Sequence, residues 1–101
     1  MEGNRRQRHR IERYYDCTFL SAWGEQNARI SSLSPIGCFI DSRTTVPPAG
    51  TVVEDITVTL PTGHLTLQGQ VAYAQPGVGF AVQFTGLDEN IQNQLIALVG
   101  G

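Results

Sequence analysis

The sequence predicts an all-β fold, a small antiparallel barrel ended by one C-terminal helix and preceded by a flexible basic N-terminal arm. Three observations lead there. Apolar and polar residues alternate at period two through much of the chain after residue 13, turn-forming residues interrupt that alternation at short intervals, and after Asp88 the apolar spacing becomes helical. With 101 residues, 41% apolar and 16% charged side chains, the chain suits one domain of about 13 Å radius of gyration and leaves no room for a second core. Closing the sheet on itself removes strand edges that so small a domain can hardly cover.

Each element carries its own signature. Tyr14 to Leu20 is rich in aromatic and branched residues and reads as the first strand. Ala22-Trp23-Gly24-Glu25 reads as a turn into a second strand, Gln26 to Ser31. Ser32-Leu33-Ser34-Pro35-Ile36-Gly37 is a polar turn, after which Cys38 to Asp41 is extended again. Arg43 to Gly50, with Pro47-Pro48, is a loop. In Ile56-Thr57-Val58-Thr59-Leu60 the apolar residues face a core and the threonines face outward. Pro61-Thr62-Gly63 reverses the chain into a strand whose Leu65, Leu67, Val71 and Tyr73 share a face, with Gly69 marking a bend or bulge. After the Gln75-Pro76-Gly77 turn, Val78, Phe80, Val82 and Phe84 take one face, and Gly79, Ala81 and Gln83 the other. Thr85-Gly86-Leu87-Asp88 has the form of a capping box with Asp in its third place. It opens a helix at about 88–99, with Ile91, Leu95 and Leu98 on one stripe and Gly100 as its stop.

The net charge of -2 hides a partition. Arg5, Arg6, Arg8, Arg10 and Arg13 sit in residues 1–13 against Glu2 and Glu12, so the arm carries +3 and residues 14–101 carry -5. Every basic residue is Arg, which supplies flat, bidentate, stackable cations suited to phosphates and guanine edges. Charge alone points first to a solvated tail whose arginines confer solubility or reach the acidic body. Two cysteines and two histidines make no close metal cluster, so Cys17 and Cys38 are read as small, partly buried hydrophobes and no metal is expected. No Ser, His and acid arrangement or Gly-rich phosphate loop is suggested, so no catalytic residue and no enzymatic activity are expected. No apolar run approaches the roughly 20 residues of a membrane helix, and the arm lacks the apolar stretch of a secretory signal, which makes cytoplasmic residence the expectation. Met1 and the helical ending fit a complete small protein.

Two segments gain meaning together. Arg6-Gln7-Arg8-His9-Arg10 is an Arg-x-x-x-Arg, and Ser32-Leu33-Ser34-Pro35-Ile36-Gly37 is a Ser-x-Ser-x-x-Gly about twenty residues later. In this pairing, and in the closing strand Gly77 to Phe84 with the helix after it, the sequence resembles the PilZ domain family. The resemblance spans nearly the whole chain. It implies a six-stranded barrel with a C-terminal helix, and it implies that the paired motifs bind the bacterial second messenger cyclic di-GMP. No cofactor is implied. Ser32 stands where the family pattern has Asp or Asn.

The residue chemistry agrees with such a ligand. In an extended arm Arg6 and Arg10 share a face about 13 Å apart, so two guanidinium forks address one bulky anion. Guanine offers O6 and N7 to a guanidinium and a ring face to a cation, while phosphates accept charge-assisted bidentate bonds. Gly37 permits close backbone approach or a positive φ. Ser34 either exchanges hydrogen bonds with the ligand or holds its own turn. Ser32 offers one short acceptor where a carboxylate would accept two bonds, which weakens binding by roughly 1 to 3 kcal/mol. The candidate ligand-binding residues are therefore Arg5, Arg6, Arg10, Ser32, Ser34 and Gly37. Arg13 and Arg29 are read either as lining the site or as surface charges, and His9 as a spacer. Trp23 is expected to pack over a barrel end, and His64 to be exposed.

Three functions are weighed. The first is a cyclic di-GMP receptor whose arm, mobile when empty, folds over the barrel on binding and signals to a protein partner, for which the resemblance suggests motility, pilus or exopolysaccharide machinery. The second is a degenerate adaptor of the same fold that binds no nucleotide. The third, general single-strand nucleic-acid binding, is disfavoured by the acidic body, and neither a nucleic-acid polymer nor membrane insertion is expected.

Overall fold

A computed structural model describes residues 14–21 and 24–100. Among these, six strands form a closed antiparallel barrel: β1 (Tyr15–Ser21), β2 (Gly24–Leu33), β3 (Gly37–Asp41), β4 (Val52–Leu60), β5 (Gly63–Gln75) and β6 (Gly79–Thr85). One helix, α1 (Glu89–Gly100), follows them. The strand order is β1-β2-β3-β6-β5-β4, and pairing of Cys17 with Val58 and of Thr18 with Thr57 closes the circle.

The period-two pattern sets the inside. Tyr15, Cys17 and Phe19 alternate inward on β1, joined by Ile30, Ile40, Ile56, Val58, Leu65, Leu67, Val71, Phe80, Val82 and Phe84 from the other strands. Phe19 and Phe80 meet edge to face with centroids 5.2 Å apart, a favoured aromatic geometry, at the centre of this core. The helix buries Leu95 completely against it, with Ile91 and Leu98 packed alongside. Asp88 caps the helix: its Oδ1 accepts a 2.8 Å hydrogen bond from the Ile91 amide. The cap is thus three residues later than the box expected at Thr85, because Gly86 takes φ +64° and turns the chain before the helix begins.

Other expectations are corrected by pairing. β2 reaches Leu33, so Ser32 and Leu33 belong to a strand and the turn contracts to residues 34–36. Glu25 likewise lies within β2, and β1 pairs with β2 as far as Ser21 and Gly24. Trp23 lies outside the described residues. Val78, expected inward, is exposed, its amide bonded to the Gln75 carbonyl in a turn. Gly69 is straight; the bulge near it falls on β4, where Val53 faces Gly69 but Ile56 faces Leu67. Tyr73, expected in the core with Val71, is 52% exposed. Register explains it: Val71 opposes Val82 while Tyr73 opposes Ala81, so Ala72 is an extra residue and Tyr73 is turned outward. His64 is exposed as expected.

Candidate functional site

The polar turn between β2 and β3 is built by Ser34. Its Oγ accepts from the amides of Ile36 (3.2 Å) and Gly37 (3.1 Å) and donates to the Gly37 carbonyl (3.2 Å), which also accepts from the Ser34 amide. One proton and both lone pairs of the hydroxyl are occupied within the turn, so of the two roles open to Ser34 the geometry displays the local one. The Ile36 carbonyl in turn accepts from Phe84 on β6 and anchors the turn to the barrel. Gly37 does not have a positive φ. A Cβ there would collide with the Val82 carbonyl oxygen, so its missing side chain lets β3 and β6 pair.

Ser32 faces outward because β2 carries an extra residue at Ser31: Ile30 opposes Ile40, but Ser32 opposes Phe39. The register then runs Ser32–Phe39–Ala81–Tyr73 across four strands on the outer face. Phe39 and Tyr73 rings meet over Ala81 with centroids 6.3 Å apart and planes inclined by 39°. Ser32, Ser34, Ile36, Gly37, Phe39, Tyr73 and Gln83 border one shallow depression of about 370 Å³, and no charged side chain among the described residues lines it. Phe39, Tyr73 and Gln83 escape sequence analysis, since the β2 bulge sets Phe39 opposite Ser32 and only the pairing of β3 with β6 brings Gln83 and Tyr73 to the serines.

The neighbouring row is charged. Arg29 stands between Asp16 and Asp41 in register. Its guanidinium lies 4.5 Å over the Tyr14 ring and Nη2 is 4.0 Å from Asp41 Oδ2. Asp41 Oδ1 accepts a 2.8 Å bond from Ser31, which ties the β2 bulge to β3. Arg29 therefore lines a second depression, with Asp16, Asp41 and Arg43, and not the one beside Ser32 and Ser34. Arg5, Arg6, His9, Arg10 and Arg13 lie outside the described residues. Among the described residues, β1 begins with Tyr15 paired to Ile30, next along β2 to Ser31 and Ser32.

Cys17 and Cys38 are buried, unbridged thiols. Burial, then the Asp16 charge, pushes the Cys17 thiol up to about 11, and burial raises Cys38 further. Neither is a nucleophile at neutral pH. Among the described residues, no group of three or more His, Cys, Asp or Glu side chains is placed to hold a metal ion, and no helix is long and apolar enough to cross a membrane.

A closed six-stranded barrel with a helix packed on its core, a glycine-ended serine turn and an outer depression lined by serines and aromatic rings has the make-up of a small binding domain. The family model of the PilZ domain matches residues 4–101, and the chain belongs to that family. PilZ domains are cyclic di-GMP binding and adaptor domains of bacterial signalling, not enzymes. Similar solved structures include two PilZ domains. The PilZ domain of YcgR from Escherichia coli, solved with c-di-GMP, aligns with TM-score 0.73 at 16% identity over 89% of this chain and 82% of that one. The PilZ domain of CeSA from a cellulose-synthesizing bacterium aligns with TM-score 0.69 at 23% identity, over 92% and 96%. At these identities the likeness is one of fold. No curated protein sequence matches the chain.

Proposed function

We propose that this chain is a cyclic di-GMP receptor of the bacterial cytoplasm, in which Arg5, Arg6 and Arg10 grip the dinucleotide against the depression beside Ser32. Ser32 offers its hydroxyl to a guanine edge, and Ser34 and Gly37 form the wall of the site through the turn they hold. Ligand binding settles the arm on the barrel and creates a surface read by a protein partner of motility, pilus or exopolysaccharide machinery.

The observation that carries this reading is the junction of arm and barrel. With Tyr15 paired to Ile30, next along β2 to Ser31 and Ser32, Arg10 is five residues from Tyr15 and Arg6 nine, a reach of at most about 17 and 30 Å of extended chain. The depression spans three inter-strand steps, about 14 Å from Ser32 to Tyr73. Division of labour follows from charge. Among the described residues the depression carries none, and in the neighbouring one Asp16 and Asp41 offset Arg29 and Arg43, so the phosphates depend on the arm. A second reading, the adaptor that binds no nucleotide, is favoured by the neutral Ser32 and the engaged Ser34 hydroxyl.

Calorimetric titration with cyclic di-GMP, against GTP and a short oligonucleotide at matched salt, separates these. The receptor reading expects heat with cyclic di-GMP alone, and its loss in both Arg6→Ala and Arg10→Ala while the thermal melt is kept. Unchanged affinity in both variants refutes it. No heat in the unmodified chain selects the adaptor.

A further inference from the structure

We infer that the Tyr73 ring, backed by Phe39, is a stacking platform for one purine base of the ligand, a contact that neither paired motif supplies. This rests on the receptor reading above and adds to it a third contributing strand, β5.

Three observations converge. Two bulges, at Ser31 on β2 and at Ala72 on β5, each invert the facing of the residue after it, and both deliver that residue to the same register row. Bulges re-aim side chains in this way and concentrate beside functional sites. At Ala72 the outcome opposes the burial pattern, since a ring that simple alternation would carry into the core is left half exposed. Next, the row is shaped for a plate. Ala81 lies low between the two rings, and Phe39 inclines against Tyr73 and holds it in place. Finally, the depression has no charged lining among the described residues and contains both serines of the second motif. Its chemistry suits a neutral heterocycle with polar edges better than a phosphate. Aromatic faces accept any base by stacking, and the arm's guanidiniums remain available for the phosphates.

The test titrates cyclic di-GMP into the full chain and into Tyr73→Phe, Tyr73→Ala and Tyr73→Leu, with thermal melts confirming that each is folded. Tyr73→Leu keeps an apolar side chain at an exposed position without the ring. Tyr73→Phe should bind within about twofold of the unmodified chain, and the Ala and Leu variants about 5- to 150-fold more weakly, the range of one base–aromatic stack. A dinucleotide carrying 2-aminopurine in place of one guanine reports stacking directly. Its fluorescence should be quenched by the unmodified chain and by Tyr73→Phe, but not by Tyr73→Leu. If the unmodified chain binds and Tyr73→Leu matches its affinity and quenching, the platform is overturned and the receptor reading stands. If the unmodified chain gives no heat, both fall together.

Discussion

Replacing Gly37 by alanine distinguishes a motif glycine kept for its ligand from one kept for its barrel. Because Gly37 lacks a positive φ, alanine there incurs no left-handed backbone strain, and the penalty is steric. The new Cβ would lie closer to the Val82 carbonyl oxygen than the 3.0 Å that real Cβ contacts respect, with the Val82 carbonyl carbon and Gln83 Cα at 3.5 Å. These atoms are backbone of β6, the strand paired with Gly37, and cannot rotate aside; β3 and β6 must separate locally. Overpacking of this kind costs about 1 to 3 kcal/mol. At about 4 to 8 °C per kcal/mol for a domain of this size, melting should fall by about 4 to 24 °C. Circular dichroism melts without any ligand measure it, with Ile36→Ala, 73% exposed in the same turn, as a control expected within about 0.5 kcal/mol of the parent. A Gly37→Ala chain that melts like its parent yet loses cyclic di-GMP binding would refute the reasoning and return the glycine to the ligand.

Three more perturbations have defined outcomes. Ser32→Asp restores a two-bond acceptor on the outer row and should tighten cyclic di-GMP binding by about 5- to 150-fold in calorimetry; unchanged affinity means that position 32 does not meet guanine. Asp88→Ala removes the acceptor of the Ile91 amide and should cost about 1 kcal/mol, seen as a fall of about 4 to 8 °C in melting; an unshifted melt means that the cap is dispensable to the docking of Leu95. For the thiols, the folded chain holds its protons more tightly than the unfolded one. Their contribution is therefore complete below the ordinary value of 9.0 and is lost as pH rises from there to about 11 for Cys17, and beyond for Cys38. Urea titrations across that window should show stability falling with pH, less steeply in Cys17→Ala; parallel slopes would contradict the buried-thiol account.

Much of the architecture is local and was therefore legible. The alternations around Val58 and Phe80 need no knowledge of partners, since any strand with one buried face shows them, and the stripe Ile91, Leu95, Leu98 marks a helix for the same reason. The ligand class came through motif resemblance, because the spacing of Arg6, Arg10, Ser32, Ser34 and Gly37 is a linear property. Serine in the second motif illustrates the limit: the chain shows that Ser34 has a hydroxyl, but only the turn's hydrogen bonds show where its proton and lone pairs go.

Facing and adjacency were decided by the tertiary structure. The extra residues at Ser31 and Ala72 leave no mark in composition or alternation, yet each moves the next residue of its strand to the opposite side of the sheet, because side chains in a strand repeat every two residues. Ser32 thereby left its expected turn for the outer wall, and Tyr73 left the core to join it. Pairing of β3 with β6 set residues 32 and 73 on one surface and made Gly37 a packing requirement. That pairing joins segments some forty residues apart, and nothing in a neighbour-to-neighbour pattern carries that information.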